Sequence, residues 1–286
     1  MEVDYHPETR ELKFNTVSVG SIAVVQDRLT DLCYKEWSLA PVMPEDAMSG
    51  GEEVRLTITT PRFTVVIAAT GSFCRLVEPE IEPLAELREK SMEPGELLDK
   101  LQAAGLNLLP SDDDAPKCKY DGAEVSGITL KSKELEQRLC VELSYLATSF
   151  DFRSSRWNNS VGEEKCCFQV KETDAFTGGS DLVDYSVAVI EHDPTSQSAL
   201  DAVGDWAPEV CPNGGLKCLL VTGGEEPEIR AFDADLAPGA QSELYLQESL
   251  KDIACVETIS RVEKSDGILS STVRSLLQLT RPFSFC

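Results

Sequence analysis

Histidine is nearly missing from this sequence. Only His6 and His192 occur among 286 residues, which all but excludes zinc sites of mixed Cys/His type and leaves any Ser-His-Asp or Cys-His system a choice of two bases. No Gly-x-x-x-x-Gly-Lys-Ser/Thr loop and no Gly-x-Gly-x-x-Gly turn is present, so the common cradles for a nucleotide phosphate are absent. The ten cysteines include no Cys-x-x-Cys pair; Cys166 and Cys167 are adjacent, and Cys211 and Cys218 come next in spacing. That is not a metal-site pattern. No apolar run approaches a membrane span, and Met1-Glu2-Val3-Asp4 does not read as the start of a signal peptide. The thiols are therefore expected to be free, mostly as core fillers in a reducing compartment. Cations are scarce as well. Lys and Arg total 26 against 50 Asp and Glu, a net charge of −24, and so acidic a general surface repels nucleic-acid phosphates and anionic lipid heads. Neither nucleic acid nor membrane is an expected partner.

What is present suits a soluble globular chain: 42% hydrophobic and 27% charged residues. A chain of this length buries roughly three quarters of its unfolded surface. The first 80 residues read as β. Strands are predicted at Arg10–Thr16, Ser18–Gln26, Val54–Thr60, Phe63–Ala69 and Ser72–Val77 from alternation and from Gly/Pro punctuation. A Glu/Pro linker at Glu78–Pro83 follows, and then the period changes. Pro94 opens a helix that Gly105 closes, and Leu135, Leu139, Leu143, Leu146 and Phe150 make one apolar stripe of a second helix. Further strands are expected at Lys165–Lys171, Leu182–Ile190, Leu216–Thr222 and Glu228–Phe232. Two helices close the chain, one capped by Ser242, the other running from Gly267 to Thr280. The fold class expected is α+β, with an N-terminal antiparallel β-sandwich-like unit (1–80) followed by a mixed sheet with packed helices (81–286). The helices fall near 94–105, 132–150, 243–258 and 267–281.

The search for chemistry ends without a catalytic set. The four Gly-Gly pairs lie between predicted strands and read as turns. Val221-Thr222-Gly223-Gly224 is followed by two glutamates and a proline where a phosphate loop needs a lysine and a helix start. His192, in Glu191-His192-Asp193, could be a base oriented by a carboxylate, but no Gly-x-Ser-x-Gly nucleophile accompanies it. Asp112-Asp113-Asp114 reads as a solvated loop in preference to a cation site. No catalytic, cofactor-binding or metal-ligating residue is assigned. Trp37, Trp157 and Trp206 remain as candidates for either the core or a docking surface.

Several landmarks occur in order along nearly the whole chain. They are Arg10-Glu11-Leu12-Lys13-Phe14, Ile22 to Asp27, Tyr34-Lys35-Glu36-Trp37-Ser38-Leu39-Ala40-Pro41, and Ala104 to Pro110. Phe150-Asp151-Phe152-Arg153-Ser154-Ser155-Arg156-Trp157-Asn158 follows, and then Leu276 to Phe285 with its Leu-Thr-Arg-Pro-Phe-Ser-Phe ending. Together they resemble the C-terminal domain of the cancer susceptibility candidate 1 family, intermediate-chain-like proteins associated with axonemal inner-arm dynein. Such proteins carry a long, charged, helical N-terminal half that has no counterpart in this sequence. The resemblance implies a non-catalytic structural or interaction subunit of the ciliary or flagellar axoneme, with dynein subunits, tubulin or adaptor proteins as partners. Tubulin is itself acidic, so docking on a doublet would need a local basic patch. Trp37, Arg153, Arg156, Trp157 and Lys165 are the candidate interaction residues. The alternatives are a protein that binds tubulin directly, inside or outside the doublet wall, a cytosolic dynein-arm assembly factor, and a small hydrolase built on the His192 loop.

Overall fold

The computed structural model describes residues 3–6, 11–15, 27–42, 52–118, 127–173, 178–179, 181–182, 184–193, 215–222, 229–233 and 245–286. Its strands are β1 (Val3–His6), β2 (Glu11–Phe14), β3 (Glu36–Val42), β4 (Glu53–Thr59), β5 (Thr64–Thr70), β6 (Phe73–Glu78), β7 (Phe150–Ser154), β8 (Lys165–Glu172), β9 (Ser186–Asp193), β10 (Gly215–Val221) and β11 (Ile229–Asp233). The helices are α1 (Ala85–Arg88), α2 (Pro94–Ala103), α3 (Lys133–Leu146), α4 (Tyr245–Lys251), α5 (Val256–Glu263), α6 (Gly267–Thr280) and α7 (Pro282–Phe285). The strand expected at Ser18–Gln26, the Ser242 cap and Trp206 lie outside the described residues.

The α+β class is as expected. Apart from the β1–β2 hairpin, the strands form one nine-stranded sheet ordered β11-β10-β9-β8-β7-β3-β4-β5-β6, with every neighbouring pair antiparallel. A shared sheet thus takes the place of a sandwich-like unit beside a mixed sheet. Strands from the first 80 residues fill one side and later strands the other. They meet where β3 pairs with β7, and this seam holds only two registered pairs, Ser38 with Arg153 and Leu39 with Phe152. Pro41 explains part of its brevity, since proline cannot donate to a ladder in the middle of a sheet.

Alternation along the strands decides which face is covered. Leu39, Leu56, Ile67, Leu76, Phe152, Phe168, Ala188 and Leu220 are buried. Helix α6 packs against α2 and α3 and onto β5, while α3 reaches β9 and α4 reaches β10. The opposite face carries Ser38, Thr57, Arg153, Gln169 and Val187, half-buried or exposed. These residues form a continuous cross-strand row, because each stands opposite the next in register.

The helices form and stop for local reasons. Ser132 caps α3 by accepting from the Leu135 N–H, and Asp266 caps α6 by accepting from Ile268. The expected stripe on α3 is buried, but the helix ends at Leu146 and Phe150 starts β7 instead. Ser149 has left the helix to accept from the Thr173 N–H beside β8. The single helix expected near 243–258 is two, α4 and α5. The break between them is fixed from outside: the Glu172 carboxylate accepts from the Cys255 N–H at 2.9 Å, and Ile253 C=O accepts from Asp181 at 3.3 Å. Gly105 ends the run after α2 at φ +89°, with Leu106 N–H bonded to Leu101 C=O and Gly105 N–H to Gln102 C=O. That is the Schellman pattern, which needs a left-handed residue at this position. Gly105→Ala is therefore expected to cost about 1 kcal/mol, read as a lower urea midpoint with unchanged slope.

The C-terminal segment holds both sides of the sheet. Phe283 is buried and meets Trp37 of β3 edge-on, ring centroids 5.3 Å apart. Tyr34, just before β3, donates its N–H to Phe285 C=O at 2.7 Å and its hydroxyl to Thr280 C=O at 3.0 Å. From the other side Asn158, after β7, donates to Phe283 C=O at 2.8 Å and Cys286 C=O at 3.3 Å, while accepting from the Cys167 N–H of β8 at 3.1 Å. Ser284 donates to Glu136 of α3 at 2.5 Å and accepts from the Lys131 N–H at 3.0 Å. Arg281, in the left-handed region at φ +48°, places its guanidinium on Glu136 (2.8 Å) and Asp112 (2.5 Å). The Asp112–Asp114 loop is thus a structural clasp, since Asp114 in turn binds Arg28 at 2.8 Å and Ser111.

Candidate interaction surface

The five residues singled out from the sequence separate sharply. Trp37 points into the core with 3% of its surface exposed, so it braces the fold and is withdrawn from docking. Its position in β3 decides this, because alternation turns Trp37 and Leu39 toward the helices. Trp157, in contrast, is 54% exposed. It sits in the turn after β7, where Ser155 accepts from the N–H groups of Trp157 and Asn158. Its neighbour Asn158 is anchored inward as described, and that anchor fixes where Trp157 emerges.

Arg156 and Arg153 are both exposed and both rest on aromatic rings. The Arg156 guanidinium carbon lies 4.8 Å from the centroid of Trp157, and that of Arg153 lies 4.4 Å from Tyr185, just before β9. Lys171 approaches the same tyrosine at 5.8 Å and stands opposite Asp151 on β7. Among the described residues, neither Arg153 nor Arg156 forms an ion pair with a carboxylate. Lys165 differs, being paired with Glu191 at 3.1 Å across the β8–β9 register. Tyr185 and Gln169 complete this surface, and sequence reading missed both. Only the strand register reveals them.

Beside Arg153 the seam opens into a groove of about 340 Å³ lined by Glu36, Ser38, Thr57, Thr59, Arg153 and Gln169. It lies where the β3–β7 ladder has stopped, and the Trp37 N–H is satisfied by Ser154 Oγ at 3.2 Å instead of by a strand partner. Hydroxyls and an amide offer both donors and acceptors along the floor. Glu36 and Arg153 put one charge of each sign on its lining.

The buried ionisable groups elsewhere serve the fold. Lys131 donates to the carbonyls of Asn158 (3.0 Å), Val161 and Gly162 (both 3.3 Å), and burial holds its pKa below that of an ordinary lysine. Burial works against the charge of Arg281, but Glu136 and Asp112 outweigh it and keep the guanidinium firmly protonated. The nine cysteines among the described residues are buried and none is in a disulfide. Burial pushes the thiols of Cys74, Cys166 and Cys218 up to about 12, far from the range of a nucleophilic thiolate. The His192 backbone pairs with Leu216 at the end of β9; its side chain lies outside what is described. Among the described residues no group of His, Cys, Asp and Glu could hold a metal ion, and no helix is long and apolar enough to cross a membrane.

Comparison with known proteins gives no match to a family model. Relatives are found nonetheless, at low identity. A dynein axonemal intermediate chain 7 homolog of Ciona intestinalis is 28% identical over 173 residues, covering 59% of this chain and 21% of that protein. The dynein axonemal intermediate chain 7 of Homo sapiens is 23% identical over 288 residues, and that of Macaca fascicularis 22% over 293, each alignment covering 99% of this chain and 34% of the relative. The chain is thus a distant relative of proteins so named, and it spans about a third or less of their length.

Proposed function

We propose that this chain is a non-catalytic interaction module of the ciliary or flagellar axoneme, working in association with dynein. The observation that carries this reading is an alignment with human dynein axonemal intermediate chain 7 that runs along 99% of the chain. The landmark residues support a finer assignment to the C-terminal domain of the cancer susceptibility candidate 1 family. The absence of a catalytic role is supported by the use made of buried groups such as Lys131, Glu136 and Asn158, each spent on backbone or ion-pair contacts within the fold. We take 1–80 and 81–286 as the two structural units of the module, their strands meeting in one sheet at the β3–β7 seam. Proximity labelling from the tagged chain in motile flagella is expected to mark axonemal dynein subunits. A labelled set free of dynein and doublet proteins would refute the assignment.

A second reading, direct contact with the tubulin wall, is favoured by Arg153 and Arg156, two exposed cations that pair with no carboxylate among the described residues of an acidic chain. In that reading Lys165 contributes little, since it is already paired with Glu191.

A further inference from the structure

We propose that the surface formed by Arg153, Arg156 and Trp157, together with the groove beside it, receives an extended carboxylate-rich segment of a partner protein. The proposal rests on the reading of the chain as an interaction module and names the chemistry of what that module binds.

Three observations converge. The first is charge. Acidic residues outnumber basic ones by 50 to 26, so an exposed cation has many chances to find an internal carboxylate. Arg28, Arg55, Arg62, Arg88 and Arg281 have each done so. Among the described residues, Arg153 and Arg156 have not. The second is orientation. A guanidinium lying over a ring within about 6 Å gains from the π-face, and its in-plane N–H fork stays free for a carboxylate. Tyr185 and Trp157 hold the two guanidiniums at 4.4 and 4.8 Å, so part of the ordering entropy of a long side chain is already spent before a ligand arrives. Positions 153 and 156 are at most about 10 Å apart along the chain, a distance that carboxylates on one extended segment can match.

The third observation is the groove. From Arg153 it crosses the seam along the register row Thr57–Ser38–Arg153–Gln169, about 14 Å at ordinary strand spacing. Its hydroxyls and amide suit the peptide groups of an extended chain, and the half-exposed indole of Trp157 supplies an aromatic anchor of the kind that dominates interfaces. Glu36 also lines the groove, so a segment with its carboxylates on Arg153 and Arg156 must carry neutral or basic residues where it passes Glu36. The −24 charge of the whole chain makes a long polyanion a poor fit, which favours a short acidic segment over a nucleic-acid strand.

The test uses the purified full chain and a fluorescein-labelled, tyrosine-containing oligoglutamate peptide, with anisotropy followed as salt is varied. Binding is expected at low ionic strength and should weaken as salt rises. The double variant R153E/R156E should lose about tenfold or more in affinity, and Trp157→Ala a similar factor. Lys165→Gln, which removes an already paired cation, should change affinity by less than about twofold. Unaltered thermal unfolding of the variants shows that the loss is one of binding. Peptide affinity that is indifferent to the double charge reversal overturns the proposal. So does equal binding of an oligouridylate, which would mark a general polyanion surface. If the peptide does not bind while the protein still labels axonemal dynein, this inference fails and the axonemal reading stands; peptide binding by a protein absent from axonemes sinks the latter alone.

Discussion

Truncating Phe283 to alanine is expected to lower stability by about 4 kcal/mol, at the upper end of large-to-small core substitutions. The ring is completely buried and lies edge-on to Trp37, an arrangement worth about 1 kcal/mol beyond area alone. The local structure cannot collapse to fill the gap, because α7 is held on both sides. Its Phe285 carbonyl is bound by Tyr34 and its Phe283 carbonyl by Asn158. Urea unfolding followed by tryptophan fluorescence reads the loss directly, since Trp37 reports on the contact that has been removed. A change below about 1 kcal/mol would mean that the C-terminal segment does not brace the sheet.

Asn158→Ala should cost about 3 kcal/mol by a different route. The side chain makes three hydrogen bonds in a buried site, and its removal strands the Cys167 N–H together with two carbonyls, each orphan costing about 1–3 kcal/mol before relaxation. Asn158→Asp should be worse, because it sets a carboxylate against the carbonyls of Phe283 and Cys286 where a donor is required. Arg156→Gln, two residues away on the surface, should stay within about 0.5 kcal/mol. Measured by chemical denaturation, the contrast between the two positions separates the clamp from the surface. If Asn158→Ala and Arg156→Gln prove equally mild, the clamp is not what sets the turn.

These two predictions bear on what the sequence resemblance means. Trp157-Asn158 and the Leu-Thr-Arg-Pro-Phe-Ser-Phe ending are among the landmarks that carry it. Asn158, Thr280, Arg281, Phe283, Ser284 and Phe285 all make contacts that close the fold. The resemblance therefore speaks first of shared architecture. Trp157, adjacent to the clamp, is the landmark that faces out.

Much of the fold could be read in advance where the signal is local. The alternation at Val54, Leu56 and Ile58, the stripes on α3 and α6, and the glycine after α2 all depend on near neighbours, and all appear where expected except Phe150, which leaves the α3 stripe to start β7. What escaped was decided over long distances. Strand β3 contains Pro41, which weakens its pattern, and nothing local announces that it will pair with β7. The break between α4 and α5 depends on Glu172, far back in the chain. For the candidate site the same rule holds. Arg153, Arg156 and Trp157 were picked for residue type, but Tyr185 joins them only through the β8–β9 pairing. Trp37 and Trp157 have the same side chain and opposite fates, settled by one residue of strand phase and one anchored neighbour.

Detergent extraction of motile flagella carrying the tagged protein tests the proposal that this chain is held in the axoneme through an acidic-segment-binding surface. The wild-type chain should remain with the demembranated axoneme, and R153E/R156E, folded as judged by its unfolding curve, should pass into the detergent-soluble fraction. A wild-type chain recovered wholly in the soluble fraction would contradict the account, and a double variant retained as firmly as wild type would show that the attachment lies elsewhere.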